Sequence, residues 1–415
     1  RKEKKRMIPV IGGGAAGMAA AIEAARQGAQ VTLWERGERL GRKLAATGNG
    51  RCNLTNLEAG PAHYFTREPA ALAAVLKSSS PEDVIGFFLS LGLFVTEEEA
   101  GRVYPSCFLA NAVVDVLRAG LAEAGVAVRT GCALRGIEKA GEGFLLVMES
   151  GERAFARKVI VACGGPAAPD LGGSGFGAEL MAGLGHEVLP AAPSLTPLCC
   201  EEKVFRSLKG IRVRAGLTAR LTATEDVLRR ERGELQLTEY GVSGIPALNA
   251  STQAALALAS GLGVTLCVDL LPDMPGGAVE AMLFERRKAF AARRCEGFLL
   301  GVFHRRIGEL VQKRAGMLPE RQVGSLTDDE LRALAQVCKD LRFRCVGVQP
   351  FGRAQCATGG ASLAQFSPKT LESLVCPGVY AAGEVLDVAG DCGGFNLHFA
   401  WVSGRLAGRS AAAGV

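Results

Sequence analysis

Short apolar runs that stop at glycines set the pattern at both ends of this chain. Met7 to Ile11 reads as a buried strand, Ala15 to Gln27 is rich in alanine and good helix formers, and Gln30 to Trp34 reads as a second strand. Three further β-rich runs, Val126 to Arg129, Gly143 to Glu149 and Lys158 to Ala162, are separated by turn residues. From about Leu189 the character changes. Leu217 to Thr222, Glu234 to Thr238 and Val264 to Leu270 are short β-like stretches that predict a compact β domain, broken at Leu271-Pro272-Asp273. Ala278 to Asp340 has a helical pattern whose core Phe284, Phe290, Phe298 and Phe303 would fill. The chain turns β-like again near Phe343. Val379 to Ala382 is then an apolar strand, followed by a helix from about Gly393 to Ser410. Strands and helices at both ends predict an α/β fold whose first part is completed by its last.

Composition narrows the class. In 415 residues, 48% apolar content supports a substantial core in two or three domains, and 54 glycines suit many tight turns. The net charge of +6 is modest, so no nucleic acid partner is expected, although Arg286-Arg287-Lys288, Arg293-Arg294 and Arg305-Arg306 concentrate it. No apolar stretch is long enough to span a bilayer, so no membrane partner is expected either. Thirteen cysteines, an odd number without a CxxC pair, fit neither a disulfide framework nor a zinc site, and no metal is expected. They suit a reducing cytoplasm, with Cys199-Cys200 read as packing. Arg1 to Arg6 before an apolar run imitates a signal peptide, but cleavage there would remove the first glycine loop, so that reading is rejected.

That loop carries the first chemistry. Gly12 permits the tight turn after the strand, Gly14 lets backbone approach a pyrophosphate, and Gly17 lets the helix pack close. Ala15 and Ala16 open the helix, whose N-terminal N–H groups and partial positive charge face the phosphates. The second strand ends at Glu35, followed by Arg36, where a carboxylate accepts hydrogen bonds from both ribose hydroxyls of an adenosine. The strand end Ala162 with Gly164 and Gly165 is a further point where backbone would lie against a ligand, and Ala133 and Leu134 are further cofactor-binding candidates. Gly172 to Gly177 has the wrong spacing for a second dinucleotide fingerprint, so no separate NAD(P)H domain is expected. Near the end, Gly383-Glu384 offers close approach and an acid for the ribitol hydroxyls of FAD. The segment Gly393-Gly394-Phe395-Asn396-Leu397 opens a helix toward the flavin's N1 and C2 carbonyl. Two such segments almost a whole chain apart predict FAD; a dehydrogenase using the first loop alone with NAD leaves the second unexplained.

Gly41-Arg42-Lys43-Leu44-Ala45-Ala46-Thr47-Gly48-Asn49-Gly50-Arg51-Cys52-Asn53-Leu54-Thr55-Asn56 resembles the signature of the YhiN/BaiN-like flavoproteins, also called aminoacetone-oxidase-like. Gly101 to Pro105, Gly233 to Leu235, Tyr240 to Pro246, Gly383 to Asp387 and Gly393 to Leu397 extend the likeness over nearly the whole chain. The resemblance implies non-covalent FAD in a glutathione-reductase-like split Rossmann domain, with an inserted β-barrel-like domain and a small helical subdomain. The expected division is 1–188 and 343–415 for the FAD domain, 189–271 for the β-rich substrate domain and 272–342 for the helical one. It also implies that Arg42, Lys43 and the loop Gly48, Asn49, Gly50, Arg51, Cys52 and Asn53 border the phosphates and isoalloxazine. Arg51 and Asn53 are then candidates for polar contacts to flavin or substrate, and Tyr104 for a phenolic proton donor. The pattern departs from the family at His398, where glutamine is common, and before Thr358, where a threonine is expected one position earlier.

The resemblance leaves the small-molecule substrate open. One branch resembles reductases of conjugated 3-oxo bile-acid intermediates. Hydride passes from flavin N5 to the enone β-carbon there, Tyr104 or His398 supplies the proton, and NAD(P)H docks transiently as donor. A large apolar pocket between the FAD and inserted domains, rimmed by basic residues, would suit a steroid. The other resembles amine oxidases that use dioxygen. The long inserted domain favours reduction. A third class, an RNA-binding flavoprotein of tRNA modification, is supported only by the basic helices from Arg286 to Arg314.

Overall fold

A parallel sheet grows outward from the first apolar run. In this computed structural model, which describes residues 7–413, the strands are β1 (Met7–Ile11), β2 (Gln30–Trp34), β3 (Ala127–Arg129), β4 (Val159–Val161) and β5 (Val379–Ala381). Their order is β5-β4-β1-β2-β3. Residues Arg1 to Arg6, where the signal-peptide imitation falls, lie outside the described residues. The winding reverses between β1 and β4, and open α/β sheets bind ligands in the crevice beyond the carboxyl ends of the strands at such a point. The stretch between β3 and β4 adds a separate antiparallel sheet of Leu134–Ala140, Gly143–Met148 and Arg153–Ala156.

Two helices cross this sheet in direct contact, and small residues make that possible. Helix α1 (Ala15–Arg26) is alanine-rich on its buried side, and helix α2 (Phe395–Ala412) lies against it. A Cβ added at Gly404 or Gly408 would sit 2.3 Å from the carbonyl oxygen of Ala16 or Ala20, so only glycine fits the crossing. The rest of α2 is anchored by aromatic packing. Trp401 is fully buried, meets Phe88 edge-on at 5.0 Å, and donates its indole N–H to the Leu54 carbonyl at 2.8 Å.

The chain divides by contact into two units, one made of residues up to Ala192 with those from Phe351 onward, the other Pro193–Pro350. The second unit contains a closed six-stranded barrel, formed by Leu198–Cys200, Gly241–Ser243, Val227–Leu237, Arg212–Leu221, Val264–Asp269 and Leu341–Val348. Two expectations are corrected here. The return segment does not start at 343, because Leu341–Val348 pairs with Val264–Asp269 and closes the barrel. Nor does 272–342 form a subdomain of its own. Val279, Leu283, Leu331 and Leu334 share one apolar cluster with barrel residues such as Leu217, Leu266 and Phe343. Phe298 is buried in that cluster, and Phe284, Phe290 and Phe303 pack on it. Among the described residues no helix is long and apolar enough to cross a membrane.

Candidate functional site

The glycine loop after β1 is built by contacts that tolerate no side chain. Gly12 has φ +108°, and a Cβ on Gly17 would lie 1.8 Å from the Gly12 carbonyl oxygen, so the turn folds back onto the start of α1. Gly14 differs: a Cβ there meets nothing within 4 Å, which leaves an open cradle at the helix N-terminus. The first N–H groups of α1 point into it without intrahelical acceptors. Glu35 stands beside this loop. Its carboxylate accepts the Gly13 N–H and the Gly37 N–H, both at 2.7 Å, and remains partly exposed.

Residues from distant segments meet at the same sheet edge. Lys43 Nζ lies 2.7 Å from Glu384 Oε2, and Glu384 Oε1 accepts the Ala357 N–H at 2.8 Å. A Cβ on Gly165 would come within 2.9 Å of Glu384 Oε1, and one on Gly383 within 2.8 Å of the Ala16 methyl. The ends of β1, β2, β4 and β5 therefore all contribute to one crevice. Arg36 and Arg42 flank it, both exposed, donating to the backbone carbonyls of Gly172 and Asp170.

The loop Gly48 to Asn53 is the strained part. Gly48, Asn49, Gly50 and Cys52 all have positive φ, between 54° and 83°, and two of these are not glycine, a conformation that persists only where surroundings impose it. Asn53 Oδ1 is buried without a hydrogen-bond partner among the described residues and would be 2.8 Å from a Cβ on Gly394. Asn56, buried, donates to the carbonyls of Gly393 at 2.9 Å and Ala100 at 3.1 Å. Asn396 exchanges two hydrogen bonds with Gly390. The early loop and the start of α2 thus form one surface, which leaves backbone of Gly393 and Gly394 partly exposed.

Arg51 is not free above this loop. It pairs with Glu98 at 2.8 Å and its guanidinium lies over the rings of Tyr104 and Phe108, 4.7 and 4.5 Å from their centroids. Tyr104 is buried, and that burial raises its phenol pKa, with the Arg102 and Arg51 charges opposing.

Exposure sorts the sequence-predicted residues. Gly12, Gly14, Ala15, Glu35, Arg36, Arg42, Lys43, Gly48, Asn49, Gly50, Arg51, Asn53, Ala133, Gly164, Glu384, Gly393, Gly394, Asn396 and Leu397 are all at least partly exposed. Ala16, Gly17, Gly165 and Gly383 are buried packing points of the same loops. Cys52, Leu134, Ala162 and Phe395 turn their side chains inward, and burial pushes the Cys52 thiol up to about 12.

His398 is a correction. It is 0% exposed, its Nδ1 lies 2.8 Å from the Thr55 hydroxyl, and its Nε2 is buried with no partner among the described residues. Burial pushes its pKa down to about 4. An enclosed, neutral imidazole does not donate a proton to a substrate. Sequence reasoning also passed over Asn56, although it closes the loop motif, and His63 with Asp391. Nothing local marks that last pair, because its members are 328 positions apart.

The donor set fits a flavin dinucleotide: an open pyrophosphate cradle, a carboxylate at the end of β2, a Lys–Glu pair at the end of β5, and a glycine-opened helix over the far end. A Rossmann fold with that crevice defines an FAD-dependent oxidoreductase. The HI0933-like protein Rossmann domain family matches residues 6–410, and the chain belongs to that family. It is 36% identical over 407 residues, 98% of each chain, to the 3-dehydro-bile acid delta(4,6)-reductase of Clostridium scindens. It is 29% identical to the ribosomal RNA dihydrouridine synthase of Escherichia coli, over 95% of each chain. Among solved structures, 3-ketosteroid delta1-dehydrogenase from Sterolibacterium denitrificans shares the fold, with TM-score 0.50, 15% identity, and coverage of 99% of this chain and 100% of that one.

Proposed function

We propose that this protein reduces a carbon–carbon double bond conjugated to a carbonyl in a 3-oxo steroid or bile-acid intermediate, with NAD(P)H as electron donor. The observation that carries this is the 36% identity, end to end, with the delta(4,6)-reductase. The name of the second relative, a dihydrouridine synthase, also describes saturation of a double bond next to a carbonyl, so the reaction type is common to both. FAD, when bound, supplies the hydride acceptor and donor at N5.

The chain's own residues then divide the remaining work. The Gly12–Gly17 loop and the α1 N-terminus bind the pyrophosphate, and Glu35 the adenosine ribose. Lys43 and Glu384 hold the ribitol side, in a glutathione-reductase-like arrangement. Asn53 and the N–H groups at the start of α2 would hold the pyrimidine end of a bound flavin and stabilise negative charge there. Arg51, held flat by Tyr104 and Phe108, shields the strained loop and orients polar groups of the ligand.

Ribosomal RNA uridine is the second reading, favoured by the 29% relative. The basic helices lend it little. Arg286 donates to the Phe298 and Leu300 carbonyls, Arg287 to Leu326 and Asp328, Arg305 to Glu309, and Arg306 to the Ser207 carbonyl. Those charges are occupied within the unit rather than offered to phosphates.

The test follows the oxidised-flavin absorbance anaerobically. NADH or NADPH is added, and the bleached protein is then offered a 3-oxo-4,6-diene bile acid or a uridine-containing ribosomal RNA fragment. Bleaching followed by recolouring with the diene is the expected result. Recolouring with RNA alone replaces the substrate reading, and absence of bleaching removes NAD(P)H.

A further inference from the structure

A histidine beside the start of α2 is left unused by everything described so far. His63 ends the one-turn segment Pro61–His63, and its position is fixed four ways. Its carbonyl accepts the Asp391 N–H at 2.8 Å. The next strand, Tyr64–Phe65, pairs antiparallel with Ala389–Gly390. Its ring stacks on Phe395, with centroids 4.3 Å apart and planes 12° from parallel. Nδ1 lies 3.2 Å from Asp391 Oδ2.

The two partners differ in exposure in the way a proton donor and its support should. The Asp391 side chain is 12% exposed and that of His63 is 35%. The carboxylate is enclosed against Nδ1, so Nδ1 carries the hydrogen and Nε2 is the nitrogen left for other business. Nε2 has no protein partner among the described residues. The Phe395 ring also lies 3.3 Å from where a Cβ on Gly393 would sit, so His63, Phe395 and Gly393 form one layer at the end of α2. Of the two earlier donor candidates, His398 is enclosed, and Tyr104 is 8% exposed with Arg51 over its ring.

We propose that His63 is the proton donor of this site and that Asp391 is its positioning residue. The assignment rests on the reduction of a conjugated double bond proposed above. Electrons and atoms balance simply. The C=C π bond is replaced by two C–H bonds: bound FAD in its reduced form would supply the hydride for the β-carbon, and His63 Nε2 gives the proton to the α-carbon. The neutral imidazole is then reprotonated from solvent, while Asp391 keeps the ring in place through Nδ1. Titratable and charged groups around it are Asp391 and Cys392 on the adjoining turn, Tyr64 at the start of the following strand, and Arg102 facing Cys392.

The experiment uses the FAD-loaded protein and two readouts. Without substrate, the oxidised-flavin absorbance is titrated between roughly pH 5 and 9, where an imidazole changes charge. The wild type carries an inflection that His63→Gln lacks. In stopped flow, His63→Gln is reduced by the donor at the wild-type rate but is reoxidised by the enone about 100-fold more slowly, the ordinary worth of a general acid. Asp391→Asn reoxidises at an intermediate rate with an altered pH profile. His63→Asn serves if the glutamine variant fails to retain FAD. Reoxidation within threefold of wild type in both His63 variants, or an inflection that survives them, overturns the proposal. If the wild type accepts no enone while its inflection still depends on His63, the substrate reading falls and the placement of His63 stands.

Discussion

Replacing His398 by glutamine isolates a stability term that the fold has built into α2. The imidazole is 0% exposed and burial holds its pKa at about 4, with the Glu82 charge opposing only in part. In the unfolded chain the same group titrates near 6.5. The folded value is depressed, so the native state binds fewer protons than the unfolded state at acidic pH. The stability contributed by the neutral ring is therefore fully present above about pH 6.5, falls as pH drops, and is gone below the folded pKa of about 4. The whole difference is about 3 kcal/mol, and by pH 5.5 about 1.4 kcal/mol of it is already lost. A glutamine amide retains a polar group for the Thr55 hydroxyl and does not titrate. Urea unfolding of both proteins at pH 7.5 and 5.5, with FAD saturating, gives the comparison. His186, which burial also pushes down, titrates in both proteins and cancels. The wild type should lose about 1.4 kcal/mol more than His398→Gln on going to pH 5.5. Equal losses in the two proteins would refute a buried neutral imidazole at this position.

Three other outcomes follow from contacts already described. Gly404→Ala places a methyl 2.3 Å from the Ala16 carbonyl oxygen and should destabilise the first unit by about 1–3 kcal/mol, measured as a shift in the urea midpoint with little change in slope. Lys43→Met leaves Glu384 without its cation, and FAD affinity, titrated into apoprotein by flavin fluorescence, should weaken about tenfold. Thr327→Ala removes the hydroxyl that caps Asp328–Lys339 and half of a capping box, costing about 1 kcal/mol in the second unit while FAD affinity stays unchanged.

How much of this was readable from sequence depended on how local the causes were. The strand β1, the loop at Gly12 and β2 are specified within thirty residues of each other, by apolar runs and glycine spacing, and they were legible. The closing barrel strand was not placed correctly. Its alternation, Leu341-Arg342-Phe343-Arg344-Cys345, is visible, but its partner Val264–Asp269 lies beyond three intervening helices, so a strand near 343 looked like the return to the first sheet. At the candidate site the glycine turns themselves were readable, because backbone constraints leave a local trace. Side-chain facts were not. Whether Arg51 is free or stacked, whether His398 is enclosed, and whether His63 has a carboxylate behind it are decided by segments far away in the chain.

The crossing of α1 and α2 has a consequence for how this protein comes into being. Glu23 finds Arg405 across 382 positions, and Leu54 receives the Trp401 indole across 347. During synthesis the glycine loop leaves the ribosome before the barrel unit, and the helix that covers it only after that unit. The second unit, whose contacts lie within Pro193–Pro350, is free to fold while the first waits half-built with an alanine-rich face open to water. Loop closure over that distance costs little more than over a short one, but it delays assembly. A flavin meeting the chain in that interval would find only half of the crevice, the other half arriving with the last helix.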